Sequence, residues 1–307
     1  MREPAPEQSQ VAVGAVAAGM RKDRSFRATL RGVRRFAQRK PLGAVSGVLA
    51  GMVVLTAIIG PYVAPYDPLF PDIPARLSAP SFLHWMGTDE LGRDVFSRVL
   101  VGARSAIFVG VSAIILGTLV GAALGLTSAY IGGWFDLIFQ RFIDGMQSIP
   151  LLVLALVIVA MLGSSIFNVI LALSAILIPR DARLIRGVTM AVMTEVYIDA
   201  ARAIGCTPIR VMVQHIFPQT VAPVLVVAGY YLGAAIMVEA SLSFLGVGTP
   251  PPTPTWGGML SGAGRKYMET AVWIAIFPGI AISLTVMSFN LLGDAVRDVL
   301  DPRMRGS

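Results

Sequence analysis

Cysteine is almost missing from this chain. Cys206 stands alone in 307 residues, which excludes an intrachain disulfide, and with only two histidines the chain cannot supply a closed Cys/His zinc site. Charge is also scarce: Asp, Glu, Lys and Arg make up 14% against 55% apolar residues, with a mean hydropathy of +0.72. That balance excludes an ordinary soluble domain. No Gly-x-x-x-x-Gly-Lys-Ser/Thr loop occurs, and Gly262-Ala-Gly-Arg-Lys266 has the wrong spacing, so an ATP-driven process would need its motor on another chain. Cys206, His215 and Asp199 do not make a catalytic set, because the cysteine sits in a corner next to Thr207-Pro208 with no oxyanion hole in prospect. The first 40 residues hold one short apolar run, Val11 to Met20, flanked by charge, and do not read as a secretory signal.

What the chain does have is long stretches without charge. Pro41 to Tyr66, Ser105 to Phe135 and Thr270 to Gly293 are each long enough for one membrane helix of about 20 residues. The stretch from Gly145 to Pro179 is interrupted by Gly163-Ser164-Ser165 and reads as two spans whose ends run into charged flanks. One starts near Phe142 with Pro150 in its body, and the other runs from Ile166 to about Leu184. A fifth covers roughly Val221 to Leu245 and the last Val272 to Leu292, which makes six.

An even count puts both termini on one side, and the Lys/Arg bias identifies that side as cytoplasmic. Ten of the 25 basic residues precede Pro41. Arg141, Arg180, Arg183, Arg186, Arg202, Arg210, Arg297, Arg303 and Arg305 fall on the same side. Only Arg76, Arg93, Arg98, Arg104, Arg265 and Lys266 fall opposite. Orientation and anionic lipid thus account for the net charge of +7, and nucleic acid is not a partner.

Gly43, Gly47 and Gly51 in the first span, and Gly117, Gly121 and Gly125 in the second, form small-residue ridges that predict close helix contacts. Pro278-Gly279 predicts a kink in the last span.

The stretch from Thr194 to Pro218 carries its own helix punctuation. Gly205 suits the left-handed position that ends one helix, Thr207 can cap the next, and Pro208 suits its first position. Two short helices with a tight corner are expected, the first presenting Tyr197, Ala200, Ala201 and Ile204 as a small apolar face for a partner's groove.

The series Asp199-Ala-Ala-Arg-Ala-Ile-Gly205, then nine residues, then His215-Ile-Phe-Pro218 resembles the coupling motif of ABC importer permeases, with Asp199 in place of the usual Glu. Three further segments resemble the C-type permease of dipeptide, oligopeptide and nickel importers. They are Gly87-Thr-Asp-Glu-Leu-Gly-Arg-Asp-Val-Phe-Ser-Arg98, Glu239-Ala-Ser-Leu-Ser-Phe-Leu-Gly-Val-Gly248 with the prolines that follow, and Phe277-Pro-Gly279 through Asp301-Pro302. Asp181 departs from the aromatic residue expected before Ala-Arg.

The resemblance implies an all-α membrane protein with six transmembrane helices and the type I importer permease fold, in the cytoplasmic membrane. It implies Asp199, Ala200, Ala201, Arg202, Gly205, His215 and Pro218 as the element that couples to ATPase subunits. The implied partners are a homologous second permease, two ATP-binding ATPases that hold ATP and Mg²⁺, an extracytoplasmic binding protein and the lipid membrane. No cofactor or metal is expected on this chain, and it is not an enzyme. Peptides are the expected cargo, with nickel or another small solute as the alternative; a self-sufficient ion-coupled carrier is the competing class, disfavoured for want of internal repeats.

Glu239 is the one carboxylate set deep in a span. It either faces the pathway or holds backbone near the outer end of span five. Outside, Thr88 or Asp89 is expected to cap a short amphipathic helix in which Asp94 and Arg98 pair. Asp89, Arg93, Asp94, Arg98 and Trp256 are the external docking candidates, Trp256 as an interfacial anchor beyond the Pro250 to Pro254 spacer. The expected organisation is a basic cytoplasmic segment 1–40, a first transmembrane helix 41–66, an extracytoplasmic loop 67–104, a five-helix core 105–293 with the coupling loop 185–220, and a cytoplasmic tail 294–307.

Overall fold

The computed structural model describes residues 40–267 and 269–300. The basic segment up to residue 39 and the tail from 301 on lie outside the described residues. Contacts divide the chain at Val45/Ser46. Of the first unit, Lys40 and the opening of helix α1 (Pro41–Val63) are described, and every tertiary contact below lies within the second.

The described residues are helical apart from loops and one isolated bridge between Thr88 and Asp94. After α1 come α2 (Val95–Ile131), α3 (Gly133–Ser148), α4 (Leu151–Leu162), α5 (Ile166–Val192) and α6 (Val196–Ala203). They are followed by α7 (Pro208–Phe244), the short α8 (Trp256–Leu260) and α9 (Ala263–Lys266), and α10 (Trp273–Leu300). The helices α1, α2, α7 and α10 are long and apolar enough to cross a membrane, and α3 with α4 adds a fifth candidate if the bent pair is one span. Arg180, Asp181, Arg183 and Arg186 make the second half of α5 too polar to count by composition.

Three boundaries differ from the sequence reading. No separate external helix forms: α2 starts at Val95, where Asp94 caps it by accepting from Ser97 N at 2.8 Å. Pro150 does not lie within a span but at a 94° break between α3 and α4, because proline lacks the N–H that would continue the helix. The second helix of the coupling loop runs straight into span five through a π-turn at Val211–Ile216.

The two glycine ridges also part company. On α2, a Cβ at Gly117 would fall 2.8 Å from Leu177 Cβ and one at Gly121 2.8 Å from Asp181 Cβ, while at Gly125 it would overlap the Ala182 carbonyl. This ridge is the seam between α2 and α5. A Cβ at Gly51 would meet nothing within 4 Å, so the ridge on α1 is not a close contact there; α1 instead approaches α2 at Gly60, where a Cβ would fall 2.8 Å from Leu100 O. A third seam, unread in the sequence, joins α7 to α10 where Gly229 and Gly233 face Gly293 and Asn290. The helix α10 is assigned as one piece through Pro278.

Candidate functional site

The helix α6 is a knob fastened to the bundle by one side and free on the other. Ile198 is fully buried among Ala122 and Leu126 of α2, Ile185 of α5, and Val211 and Ile216 of α7. Burying such a side chain contributes about 2 kcal/mol. Ala201 turns inward with it, which removes it from the expected docking face. Val196, Tyr197, Ala200 and Ile204 remain exposed, Val196 and Ile204 at 82%. With eight residues α6 makes about two turns, and since side chains three to four positions apart share a face, it presents one face inward and the other outward.

The corner is built as its glycine requires. Gly205 has φ +84°, its N–H donates to Arg202 O at 3.0 Å, and Cys206 N donates to Ala201 O at 3.1 Å. Those two bonds make a Schellman end. Thr207 takes the next N-cap position without a side-chain cap bond. Asp199 and Arg202 form an exposed pair at 3.6 Å, of little energetic weight. Arg202 also lies over the Tyr130 ring, 5.7 Å from its centroid, and so ties the knob to the end of α2. His215 is half-buried in the π-turn and Pro218 is exposed one turn on.

Beside the knob a charged layer joins α3 to α5. Arg186 grips Asp136 through Nε at 2.7 Å and Nη2 at 2.6 Å, Ser128 Oγ donates to the same carboxylate at 2.5 Å, and Arg183 donates to Asp144 at 2.7 Å. The hydrogen bonds from Arg186, helped by that from Ser128, hold the Asp136 carboxyl below the usual range against the opposing effect of burial. Asp136 also raises Arg186 through the same bonds.

At the other end of the helices the structure corrects the docking set. Asp89, Asp94, Arg98 and Trp256 are buried, and only Arg93 of the five keeps partial exposure. Arg98 pairs with Asp89 at 3.5 Å and donates to Pro68 O at 2.8 Å, whereas Asp94 meets His84 Nδ1 at 3.0 Å. The expected pairing of Asp94 with Arg98 is absent because Asp94 is already used as the α2 cap. Trp256 is no interfacial anchor: its indole packs on Gly102 and donates to Val99 O at 2.9 Å. These motif residues brace the loop, and Trp273 Nε1 donating to Thr88 O at 3.1 Å ties the start of α10 into the same knot.

Glu239 is 1% exposed and accepts from Ser243 Oγ at 2.8 Å, one turn on in α7. Its partner Ser243 lines an open cavity. That cavity, about 300 Å³, also takes in Glu90, Arg93, Thr255 and Ser261. Sequence reasoning missed Arg180, which was counted only for orientation and which lines a separate cavity of about 340 Å³ beside the α3/α4 break. Its signal was present, since an arginine four residues inside the expected end of a span is unusual.

Long apolar helices and a two-helix knob fastened to them by one side define a polytopic membrane protein. The chain belongs to the family of binding-protein-dependent transport system inner membrane components, matched over residues 113–306, and residues 30–80 match the N-terminal TM domain of oligopeptide transport permease C. It is 43% identical over 274 residues to the glutathione transport system permease protein GsiD of Escherichia coli O157:H7 and of Shigella sonnei, covering 89% of this chain and 90% of each relative. It is therefore a C-type permease subunit of an ABC importer, a multi-pass protein of the inner membrane.

Proposed function

We propose that this permease crosses the membrane six times with both termini in the cytoplasm and forms half of a solute path with a homologous second permease. Two ATPase subunits dock on the coupling knob from the cytoplasm and hold the ATP and Mg²⁺, while an extracytoplasmic binding protein delivers solute to the opposite face. The observation that carries this reading is the exposed apolar face of α6, Val196, Tyr197, Ala200 and Ile204, on a helix anchored by Ile198. Such a face is costly in water unless a partner covers it.

Coupling is mechanical. ATP binding draws the ATPases together, and the knob moves with them. Its attachments to α2 through Tyr130 and to α5 through Ile185, and its continuity with α7, carry that motion into the bundle. The helices then change from inward-open to outward-open, a population shift set by differential contacts. Asp199, Arg202, Gly205, His215 and Pro218 shape this element, and Glu239 supports the outer end of α7 through Ser243.

The cargo is a short peptide, in the class of dipeptides, oligopeptides and glutathione. The names of the matching relatives and of the N-terminal family support this choice. Purification of the tagged protein from its native membranes in mild detergent tests the assembly: a second permease and two ATPases should remain bound, and Ile204→Asp should release the ATPases alone. Recovery of a transport-competent protein without partners would overturn the reading in favour of a self-sufficient carrier. Nickel uptake without peptide uptake would overturn the cargo.

A further inference from the structure

Three arginines sit in the second half of α5, and two are spoken for. Arg183 and Arg186 are held by Asp144 and Asp136 at 2.7 and 2.6 Å. Arg180, nearest the middle of the helix, makes no hydrogen bond or ion pair among the described residues. Its neighbour Asp181 is near enough for the two charges to attract, but that carboxylate turns towards α2 and accepts from Thr118 at 2.6 Å, so the guanidinium's donors stay unmet.

Arg180 is exposed, yet it borders neighbouring helices. It lines the cavity of about 340 Å³ walled by Gln147, Ser148 and Pro150 at the α3/α4 break, and a narrow cleft against Ala234, Ala235 and Val238 of α7. The cavity is part polar and part apolar, with Leu151, Leu154 and Ile176 along one side. A charged side chain inside a membrane helix costs free energy and tends to mark a solute path or a partner. A guanidinium presents a planar fork of donors that a carboxylate matches with two parallel bonds.

We propose that Arg180 is a solute-contact residue of the translocation path, which takes the free carboxylate of a peptide in transit between the α3/α4 break and α7. The inference rests on the peptide reading above and adds the group by which the permease itself recognises the solute. Gln147 and Ser148 offer hydrogen bonds to the rest of the peptide backbone from the same cavity. A carboxylate on the second permease, or a charge kept only for orientation, would use Arg180 differently, and the test separates them.

The complete importer, with its permease partner, ATPases and binding protein, is reconstituted in proteoliposomes. ATP-driven uptake is then compared for radiolabelled dialanine and its C-terminal amide. Arg180→Gln should lower dialanine uptake about tenfold, the effect of losing a charge-assisted bond, and should lower amide uptake much less, with subunit composition unchanged. Arg180→Lys should recover part of the loss. Since every variant receives solute from the same binding protein, a changed ratio belongs to the permease.

A second arm puts p-benzoylphenylalanine at Leu154, across the cavity. Illumination during uptake should cross-link dialanine, about tenfold less so when Arg180→Gln is added. Equal loss for both solutes, loss of assembly, or cross-linking to the second permease alone would overturn the proposal. So would normal uptake and cross-linking with Arg180→Gln. Failure of the unsubstituted importer to take up dialanine is a different result, and would overturn the peptide reading itself.

Discussion

Thr118 donates its hydroxyl hydrogen bond to Asp181 Oδ2 over 2.6 Å, across the seam where α2 and α5 lie closest. Asp181 is 0% exposed, and its Oδ1 has no hydrogen-bond partner. The threonine is thus the donor that makes this buried carboxyl tolerable. Thr118→Val, which keeps shape and removes the hydroxyl, should destabilise the detergent-solubilised protein by about 1–2 kcal/mol. Asp181→Asn keeps an acceptor for Thr118 and should cost less. Thermal unfolding of the two variants in one detergent checks the order, and Asn being the more harmful would refute the account.

The same seam predicts a contrast between glycines that look alike in the sequence. A Cβ at Gly125 would overlap the Ala182 carbonyl, whereas one at Gly51 meets nothing within 4 Å. Gly125→Ala should therefore cost about 1–3 kcal/mol, because backbone cannot move aside as a side chain can. Gly51→Ala should stay within about 0.5 kcal/mol. The yield of folded protein by size-exclusion chromatography after mild heating separates the two.

Features that depend on neighbours in the chain were legible, and those that depend on distant contacts were not. Gly205 announced its left-handed corner, and Ser165 caps α5 at the residue before Ile166, where the span was expected to start. The break at Ile149–Pro150 was missed because a proline within apolar sequence is compatible with a kinked span as well as with a 94° turn. Trp256 read as an interfacial anchor because an indole beside prolines has the same composition outside as inside. Gly102 on α2, 154 positions earlier in the chain, makes the slot that buries it. Asp89, Asp94 and Arg98 read as surface charge for a similar reason: their partners include Pro68 and His84, which no helical spacing joins to them. The coupling residues were found by pattern, but the inward turn of Ala201 with Ile198 depended on what lay beneath α6.

Gly205 offers a test of coupling that leaves the fold intact. Nothing lies within 4 Å of where its Cβ would be, so a side chain there clashes with no neighbour and only the backbone conformation, φ +84°, is at stake. A β-branched residue in that region is strained by about 1–3 kcal/mol. Gly205→Val should insert in the membrane and assemble, but lose most ATP-driven uptake as the corner shifts. Gly205→Asn, better suited to left-handed backbone, should retain most of it. Wild-type uptake by Gly205→Val in membrane vesicles would sink this account of the corner.

Acid should loosen the layer beneath the knob through Asp136. This residue precedes Phe142 and Arg186 follows Leu184, so both lie beyond the apolar stretches of their helices. Hydrogen bonds from Arg186 and Ser128 depress the folded-state pKa of Asp136. A depressed carboxyl binds protons less readily when folded than when unfolded, so stability rises with pH across the interval between the two values. The contribution is complete above the unfolded pKa of about 3.9 and is lost as pH falls below it through the lowered folded value. Arg186 stays charged throughout and adds no step of its own. The melting temperature of the solubilised protein should therefore fall as pH drops below about 4, and Arg186→Met should shrink that fall while lowering stability at pH 7. An unchanged acid limb in Arg186→Met would show that carboxylates other than Asp136 govern it.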